Sequence, residues 1–520
     1  MSSTNTESIL LGEDLTIGEI WQASQHPERI DLGNSQIQRI KTCRSTLDRI
    51  NKKEEPVYGV STGFGHLENK WIPPEKQSQL QINLLRSHAI ATGDQIPEKI
   101  THIAMILLAN SLAKGHSGIR LSTLKRIIFF IKHQIIPITY TIGSLGASGD
   151  LAPLAHLALG FIGEGDVSYQ GRRYSGEEIL EELDLSPLEL KAKEGLALIN
   201  GTHFITAYAT NLLHQTKSLL KCSLLASALS IESLRATDTP FRLEIGQLRS
   251  HPGHLTISNI MQQILDGSQI ISSHKDPRID HKTQDAYAFR CIPQVMGAIW
   301  DALAYLERVV RIEINSVTDN PLVFPASDEI ISGGNFHAEP LGFPLETSCL
   351  ALIELANITE ARVSRLVSPF TPELPAFLAN KPGIESGYMI AHYTVAALVN
   401  KLRGLAHPNI TDNIPVSGNQ EDHVSMAMNT AVRSDEIFKL VKEVVLFELM
   451  MAIRGLNLVD HQSSSSILEE VIEHVNNSIP FERSDHVIHH TLTAFKDLYQ
   501  TGKFEEIFDR YIDFPQDFGI

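Results

Sequence analysis

The sequence predicts a mainly α-helical protein built around long, packed helices. Three segments carry extended apolar-rich patterns at helical spacing, namely residues 202–234, 341–367 and 434–456. The first has no proline or glycine, and Pro344 falls in the first turns of the second, where proline is tolerated. Strand signals are short and sparse, and residues 164–174 (EGDVSYQGRRY) indicate a small hairpin or a polar excursion. Helices of this length favour a bundle that buries their apolar faces against one another.

Composition and charge narrow the class of protein. Among 520 residues, 42% are hydrophobic and 20% are charged, which is typical of a soluble globular protein. The formal net charge of −17 argues against a nucleic-acid partner, since binding to phosphate backbones needs an excess of lysine and arginine. The N-terminal residues show no signal-peptide pattern, and no run of 18 or more apolar residues suggests a membrane span.

Cysteine usage points to a reducing compartment. The four cysteines are widely separated, and none forms a C-x-x-C pair: Cys43, Cys222, Cys291 and Cys349. In a chain of this length such spacing favours free thiols over a disulfide scaffold or a metal site. We therefore expect a cytoplasmic protein.

The expected organisation separates a loop-rich first part from a helical second part. We expect residues 1–10 to be disordered, residues 11–215 to form an N-terminal domain, and residues 216–520 to form the central long-helix bundle and C-terminal helices. Glycine-rich or polar loops interrupt the helical pattern, and such loops on a rigid scaffold commonly carry function. They span residues 58–65, 143–150, 200–202, 332–340 and 417–423.

The loop that begins GSLGASGDLAPLAH (143–156) has three readings. It could be a simple glycine-rich turn. A nucleophilic serine fits poorly, because the second glycine of G-x-S-x-G arrives one position early after Ser148. In the third reading the Gly149 nitrogen attacks the Ala147 carbonyl, and loss of water leaves an electrophilic methylidene. Glycine permits the close backbone approach this needs. A helix would follow, with Asp150 as its N-cap and Pro153 in its first turn.

This stretch resembles the signature of the aromatic amino acid ammonia-lyase family. In that family the Ala147-Ser148-Gly149 triplet would become 4-methylidene-imidazole-5-one (MIO). Five further segments match in order, so the resemblance covers roughly residues 10–510. It implies a long-helix bundle of the ammonia-lyase and fumarase-like type, with a loop-rich N-terminal region that carries the prosthetic group. It also implies a homotetramer with shared active sites, a small amino acid as substrate, and no metal.

Two further loops gain roles from the resemblance. Tyr58, in YGVSTGFG, could be a packed tyrosine, but its family counterpart is the base that removes the β-proton of the substrate. We expect a neighbouring electrophile and cation to lower its pKa. Asn200, in INGTH, could be part of an Asn-Gly turn, whereas its family counterpart contacts the prosthetic group and the substrate. His203 stands where related sequences usually carry glutamine, and the sequence does not explain it.

The segment TQDAYAFRC carries three polar residues at intervals of three. On one helix, Gln284, Tyr287 and Arg290 would lie within about a 120° sweep. They could be an ordinary polar face. The resemblance implies that Arg290 holds the substrate carboxylate through its planar fork, that Gln284 assists binding, and that Tyr287 takes part in proton handling near the amine.

The remaining candidates concern the substrate's side chain. The resemblance places Phe336 beside the prosthetic ring, although such a residue is more often in the core. Ser87 and His88 occupy the position linked to selectivity, and Ser-His occurs in histidine-specific and in some tyrosine-specific members. Glu421 stands where phenylalanine and tyrosine enzymes usually have glutamine. A carboxylate can accept a hydrogen bond from an imidazole N–H, whereas a phenyl ring would leave it unsatisfied.

The sequence thus predicts a carbon–nitrogen lyase that removes ammonia from L-histidine to give trans-urocanate. The alternatives within the family are a tyrosine or phenylalanine ammonia-lyase and an MIO-dependent 2,3-aminomutase. A non-catalytic helical assembly protein is the alternative from another class. The segments HPGH (251–254) and DHVIHH (485–490) lack the spacing of a compact metal site, and we expect mostly solvated histidines there.

Overall fold

The computed structural model describes residues 8–53, 55–63, 65, 68–273 and 283–519. The chain forms two compact units, each assembled from three parts of the sequence. Unit 1 comprises residues 1–211, 308–346 and 408–433, and unit 2 comprises residues 212–307, 347–407 and 434–520. The division between residues 215 and 216 stays a prediction, because compactness within one chain does not show which part folds by itself.

Helices dominate the described chain, and each takes the number of its place in the sequence. The first eight are short to medium in length: α1 (Ile17–Gln25), α2 (Asn34–Asn51), α3 (Pro74–His88), α4 (Glu98–Ala113), α5 (Leu121–Lys132), α6 (Leu151–Ile162), α7 (Gly176–Glu182) and α8 (Glu194–Ile199). The remaining ones include the long helices: α9 (His203–Ser233), α10 (Leu243–Gln247), α11 (Pro252–Leu265), α12 (Gln269–Ser273), α13 (Tyr287–Arg290), α14 (Ile292–Glu313), α15 (Glu339–Leu366), α16 (Met389–Gly404), α17 (Ala427–Leu458), α18 (Ser466–Ser478), α19 (Ile488–Gln500) and α20 (Lys503–Tyr511).

The strands are short and form four small sheets in the described residues. They are β1 (Ile9–Leu10), β2 (Ile30–Asp31), β3 (Thr92–Gln95), β4 (Ile136–Pro137), β5 (Tyr140–Ile142), β6 (Val167–Tyr169), β7 (Arg172–Tyr174), β8 (Leu322–Phe324) and β9 (Glu329–Ile331). Strands β1 and β2 pair in parallel, whereas β3 with β5, β4 with β6, β6 with β7, and β8 with β9 pair antiparallel. The hairpin expected at residues 164–174 is confirmed as β6 and β7. Of the terminus expected to be disordered, β1 instead forms a strand, and residues 1–7 lie outside the described residues.

The three predicted long helices are confirmed as α9, α15 and α17, with 31, 28 and 32 residues. Nearly every side chain of α9 is buried, which explains its apolar composition on all faces. By length and composition alone α15 could cross a membrane, but 72% of its most apolar 18-residue stretch is buried within the protein. Such burial is typical of a core helix. Pro344 lies inside the first turns of α15, as expected.

A buried ion pair joins the helices of unit 2. Arg362 and Glu448 are both fully buried, and the guanidinium donates to the two carboxylate oxygens at 2.5 and 2.8 Å. The hydroxyl of Ser230 donates to the same carboxylate at 2.8 Å. The pair thus connects α15 with α17 and α9. Removing one partner of such a pair leaves the other charge buried and unpaired, which strongly destabilises the fold.

The Arg362→Met substitution should therefore lower the free energy of unfolding by about 3–5 kcal/mol, because it strands the Glu448 carboxylate in the core. Arg365→Met is the matched control, since Arg365 is exposed on the same helix and its loss should change stability by less than about 0.5 kcal/mol. Urea denaturation of both variants measures the difference. Equal free energies of unfolding for the Arg362→Met and Arg365→Met variants would contradict the structural role assigned to the ion pair.

His203 begins α9 and packs directly beneath the turn that precedes it. Its side chain is buried, and a Cβ atom on Gly201 would lie 2.7 Å from its Nε2 atom. Burial lowers the pKa of His203 to about 4, from 6.5 in the unfolded chain. The unfolded protein therefore binds one more proton than the folded protein between these two pH values, and stability falls as the pH drops through that window.

Replacing His203 with glutamine, which cannot take up this proton, should flatten the acid-side loss of stability. The expected change is about 1.4 kcal/mol for each pH unit between 6.5 and 4. Stability measured against pH for wild type and His203→Gln gives the two slopes, and His489→Gln, at an exposed position of α19, should keep the wild-type slope. Parallel curves for wild type and His203→Gln would mean that the ring is protonated in the folded protein.

Candidate active site

The loop between β5 and α6 makes an unusually close backbone contact. Gly149 pairs with Gly201 in a parallel bridge, and the N–H of Asp150 donates to the Gly201 carbonyl at 2.8 Å. Gly149 has φ of 74°, and a Cβ atom there would lie only 2.1 Å from the Gly201 oxygen. No larger residue fits this position without moving the backbone. The sequence expectation that Gly149 serves close backbone approach agrees with this geometry.

Ser148 is held at both of its oxygen atoms. Its hydroxyl donates to Glu421 Oε1 at 2.6 Å, and its carbonyl oxygen accepts from Asn200 Nδ2 at 3.0 Å. Asn200 is buried at the end of α8, and its Oδ1 atom has no hydrogen-bond partner among the described residues. Three residues named from separate sequence segments thus meet at one point.

A second loop, residues 416–426, is attached to the Ser148 loop and carries Glu421. The N–H of Met426 donates to the Leu145 carbonyl at 2.8 Å, and Ser425 Oγ donates to the Gly146 carbonyl at 3.1 Å. Met426 also packs with Val424 against the buried methyl group of Ala147. These contacts set the distance from which Glu421 reaches Ser148.

The backbone of this second loop turns sharply before Glu421. Val416 and Glu421 pair across the turn, with the Val416 N–H donating to the Glu421 carbonyl at 3.0 Å. The residues between them include a short 3₁₀ turn, and Gly418 has φ of 64°. The carboxylate therefore projects from a pinned position rather than from a free loop.

Asp150 departs from its expected role. It occupies the N-cap position of α6, but its side chain makes no hydrogen bond to that helix. Its carboxylate instead accepts from the N–H groups of Phe204 and Ile205, at 2.8 and 3.1 Å, and from Ser144 Oγ at 3.1 Å. The group thus caps α9, because the Gly149–Gly201 contact brings the start of α9 closer than the first turn of α6. Complete burial raises the pKa of Asp150 to about 7, although the three donors oppose this.

Two cavities of unit 1 collect the predicted residues of that unit. The first, of about 250 Å³, is lined by Tyr58, Ala147, Ser148, Asn200, Phe336 and Glu421, among others. The second, of about 240 Å³, is lined by Ser87, His88 and Gly149. Ala147, Ser148 and Glu421 line both cavities, so the same loop faces both spaces. An amino acid substrate has a size that such cavities can hold.

Tyr58 lies in the first cavity, and its pKa is opposite to the expectation. Burial raises the pKa of the phenol, the nearby carboxylates of Glu421 and Glu68 raise it further, and the Gly65 N–H, which donates to the hydroxyl at 3.3 Å, opposes them. The prediction of a lowered pKa for Tyr58 was wrong for a single chain, because desolvation dominates and the named charges around the hydroxyl are negative.

Ser87 and His88 form the end of α3. Ser87 Oγ lies 3.0 Å from His88 Nδ1 and also donates to the Leu84 carbonyl at 3.1 Å. Burial lowers the pKa of His88, although the Leu84 carbonyl and Glu421 oppose this. A neutral imidazole at this wall of the cavity can donate one hydrogen bond and accept another.

The expectation of one helical face for Gln284, Tyr287 and Arg290 was wrong. Gln284 lies in a bend, and helix α13 covers only Tyr287–Arg290. The guanidinium of Arg290 instead stacks over the ring of Tyr287, with 4.9 Å between its carbon and the ring centroid. These residues belong to unit 2, and the described linings of the two cavities do not include them.

Sequence reasoning missed eight residues of the first cavity, although the loops that it singled out contain five of them. His337 follows Phe336 and His423 follows Glu421 by two positions, and their rings stack with centroids 5.7 Å apart. Their nitrogen atoms and a carboxylate oxygen of Glu339 lie within 4.8 Å of one another. The remaining missed residues are Gly65, Glu68, Leu196, Asn320, Gln420 and Asp422.

The histidines that were weighed for metal binding lie elsewhere. His489 and His490 are exposed, as expected, and His251 is exposed as well. His254 is buried instead of solvated, because it lies in the first turn of α11, where Gly253 packs against the backbone of Gly297.

Known proteins resemble the chain over nearly its whole length. It matches the family described as aromatic amino acid lyase over residues 15–477. It is 42% identical to histidine ammonia-lyase from Deinococcus radiodurans, over 91% of this chain and 90% of that protein. The crystal structure of histidine ammonia-lyase from Trypanosoma cruzi aligns with a TM-score of 0.89 at 34% identity, covering 98% of this chain and 96% of that one.

Tyrosine aminomutase from Streptomyces globisporus aligns as well, with a TM-score of 0.91 at 30% identity, covering 98% of this chain and all of that one. These alignments confirm the expected fold, a mainly α-helical protein of the ammonia-lyase type. Similarity of sequence and of fold over the same extent indicates common ancestry. The chain therefore belongs to the aromatic amino acid lyase family, and its relatives named histidine ammonia-lyase indicate a carbon–nitrogen lyase.

Proposed function

We propose that the protein removes ammonia from L-histidine and releases trans-urocanate. The observation that carries this proposal is the Glu421 carboxylate, which lies in the same cavity as Ser148 and touches its hydroxyl at 2.6 Å. A carboxylate at this place can accept the N–H of an imidazole side chain. Relatives named histidine ammonia-lyase support the same substrate.

The residues at Ala147-Ser148-Gly149 fit a prosthetic group of the MIO type. Gly149 has no space for a side chain, so its nitrogen can approach other backbone atoms closely. The Ser148 carbonyl, which would become the ring carbonyl, accepts a hydrogen bond from Asn200. Helix α6 begins directly after the loop, and its N-terminal end favours negative charge there. When formed, the group supplies an electrophile that turns the substrate amine into a leaving group.

The protein's own residues then bind the substrate and move its protons. Glu421 accepts the imidazole N–H and fixes the side chain. Tyr58 removes the β-proton, and Phe336 bounds the cavity beside Ala147 and Ser148. His88 and Ser87 close the far wall, next to Glu421.

The substrate carboxylate needs a cation that the described lining of the two cavities does not provide. The described lining residues of the two cavities include neither lysine nor arginine. We infer that Arg290 of a neighbouring copy of the chain supplies the guanidinium, with Gln284 assisting and Tyr287 near the amine. This supports a homotetramer with shared active sites. The free cysteines agree with a cytoplasmic enzyme.

Ser148→Ala tests the chemistry, because alanine has no hydroxyl to lose. The variant should lack the near-ultraviolet absorbance of the prosthetic group, and histidine turnover should be abolished. Intact mass should show wild type lighter than its sequence by two water molecules, whereas the variant, which has no hydroxyl to lose, should be lighter by one at most. Ser250→Ala, at an exposed serine, should behave as wild type. Normal activity in Ser148→Ala would overturn the proposed reaction.

A panel of histidine, tyrosine and phenylalanine tests the substrate. Histidine should be preferred over phenylalanine in kcat/KM by about a hundredfold or more, since a phenyl ring leaves the Glu421 carboxylate without a donor at a cost of a few kcal/mol. Ultraviolet product formation gives the rates. A preference for tyrosine would refute the role of Glu421. Proton NMR of the product distinguishes urocanate from a β-amino acid, which would identify an aminomutase.

A further inference from the structure

We propose that Gln81 is a positioning residue that sets the distance between the base, Tyr58, and the Ser148 loop. The inference rests on the proposed function, because it takes Tyr58 as the base and the Ser148 loop as the source of the electrophile. Gln81 lies in α3, and 0% of its surface is exposed. The described linings of the two cavities do not include it, so its effect on the reaction must pass through other residues.

The side-chain amide of Gln81 joins two separate segments of the site. Its Oε1 atom accepts from the Leu196 N–H at 3.0 Å, and its Nε2 atom donates to the Gly59 carbonyl at 3.4 Å. Leu196 lies in the first turn of α8, where backbone N–H groups have no partner within the helix. Gly59 directly follows Tyr58 in the chain. One buried side chain thus connects the backbone beside the base to the start of α8.

Helix α8 carries this connection to the Ser148 loop. The N–H of Asn200 donates to the Leu196 carbonyl at 3.1 Å, and Asn200 Nδ2 donates to the Ser148 carbonyl at 3.0 Å. The helix also packs directly on the backbone of α3, since a Cβ atom on Gly195 would lie 2.6 Å from the Gln81 carbonyl oxygen. A shift at Leu196 would therefore reach Ser148 across a single helical turn.

The backbone at Gly59 determines how Tyr58 enters the first cavity. Gly59 is buried and has φ of 67°, so the chain turns immediately after Tyr58. The phenol and Ser148 both line this cavity. A base must lie within hydrogen-bonding reach of the proton that it removes, and small displacements of a reacting group slow a reaction steeply. The bond from Gln81 to the Gly59 carbonyl therefore bears on proton removal rather than on substrate binding.

Gln81→Met tests the inference, because methionine has a similar unbranched chain but can make neither hydrogen bond. The full-length variant should form the prosthetic group, which intact mass counts through the loss of two waters. Turnover of histidine per formed group should fall by about 10- to 100-fold, as expected for a reacting group displaced by about 1 Å. KM should change little, because Glu421 still holds the substrate. Circular dichroism and gel filtration check that the variant folds and assembles.

Asn110→Leu is the matched control, because Asn110 is a buried amide of unit 1 that also bridges two backbone groups. It accepts from the Gly12 N–H at 2.7 Å and donates to the Ile314 carbonyl at 2.8 Å. None of these three residues is among the described linings of the two cavities. The control should lose stability in urea but keep wild-type turnover per formed group. Equal losses of turnover in both variants, or no loss in Gln81→Met, would overturn the inference.

Histidine with deuterium at the β-carbon identifies the step that slows. The isotope effect on kcat in Gln81→Met should be at least as large as in wild type, because removal of the β-proton becomes slower. A smaller isotope effect would mean that another step limits turnover, and the assignment to Tyr58 would fail.

Two further substitutions at this position complete the test. Gln81→Glu, measured at the lowest pH at which wild type is active, should behave as wild type, because burial favours the neutral acid, which can make both hydrogen bonds. A loss as large as in Gln81→Met would contradict the role of these bonds. If Gln81→Met does not assemble, Gln81→Asn, one methylene shorter, should show the same fall in turnover, and normal turnover there would overturn the inference. Wild type that does not deaminate histidine would instead refute the proposed function.

Discussion

The contact between the backbones of Gly149 and Gly201 is the constraint on which the site depends. It permits no Cβ atom at Gly149, where the Gly201 oxygen would lie 2.1 Å away. Because Asn200 precedes Gly201 and Ser148 precedes Gly149, the same contact sets the distance between the Asn200 amide and the Ser148 carbonyl. It also brings the starts of α6 and α9 together. A small change in this contact would therefore disturb the loop, its polarising donor and two helix ends at once.

One electrostatic consequence is that Asp150, which precedes α6, caps α9 instead of α6. The carboxyl of Asp150 accepts from the N–H groups of Phe204 and Ile205 in α9, and its side chain makes no hydrogen bond to α6. The positive end of α6 is left facing the loop that precedes it, where charge would be drawn toward the Ser148 carbonyl. Burial raises the pKa of Asp150 to about 7, and the three donors limit how much of its charge is lost. A negative group is thus tied to one helix while a second helix polarises the site.

The sequence predicted local features well and contacts across the chain poorly. The long helices α9, α15 and α17 follow from apolar periodicity and the position of proline, which are local properties. The need for glycine at position 149 could be predicted, because only glycine permits another backbone segment to come this close. The bond between Ser148 and Glu421 could not, since 273 residues separate them and no spacing rule relates the two loops.

Errors in the predictions have the same origin. Asp150 has the right residue type and position to cap α6, but the tertiary contact with Gly201 offers it stronger donors on α9. The spacing of Gln284, Tyr287 and Arg290 suits a helix, yet α13 begins only at Tyr287. For Asp150, local propensity was overridden by a tertiary contact that the segment itself does not encode.

The charge of the cavity bears on the proposed sharing of active sites between copies of the chain. Glu68, Glu421 and Asp422 line it, and neither lysine nor arginine is among its described lining residues. Alone, such a cavity would repel the carboxylate of an amino acid, and it raises the pKa of Tyr58, which must lose a proton to act as a base. A guanidinium brought by another copy of the chain would correct both at once, because it attracts the substrate and stabilises the phenolate. The raised pKa of Tyr58, caused first by burial, is thus a property of the single chain, and the guanidinium proposed to come from another copy would lower it.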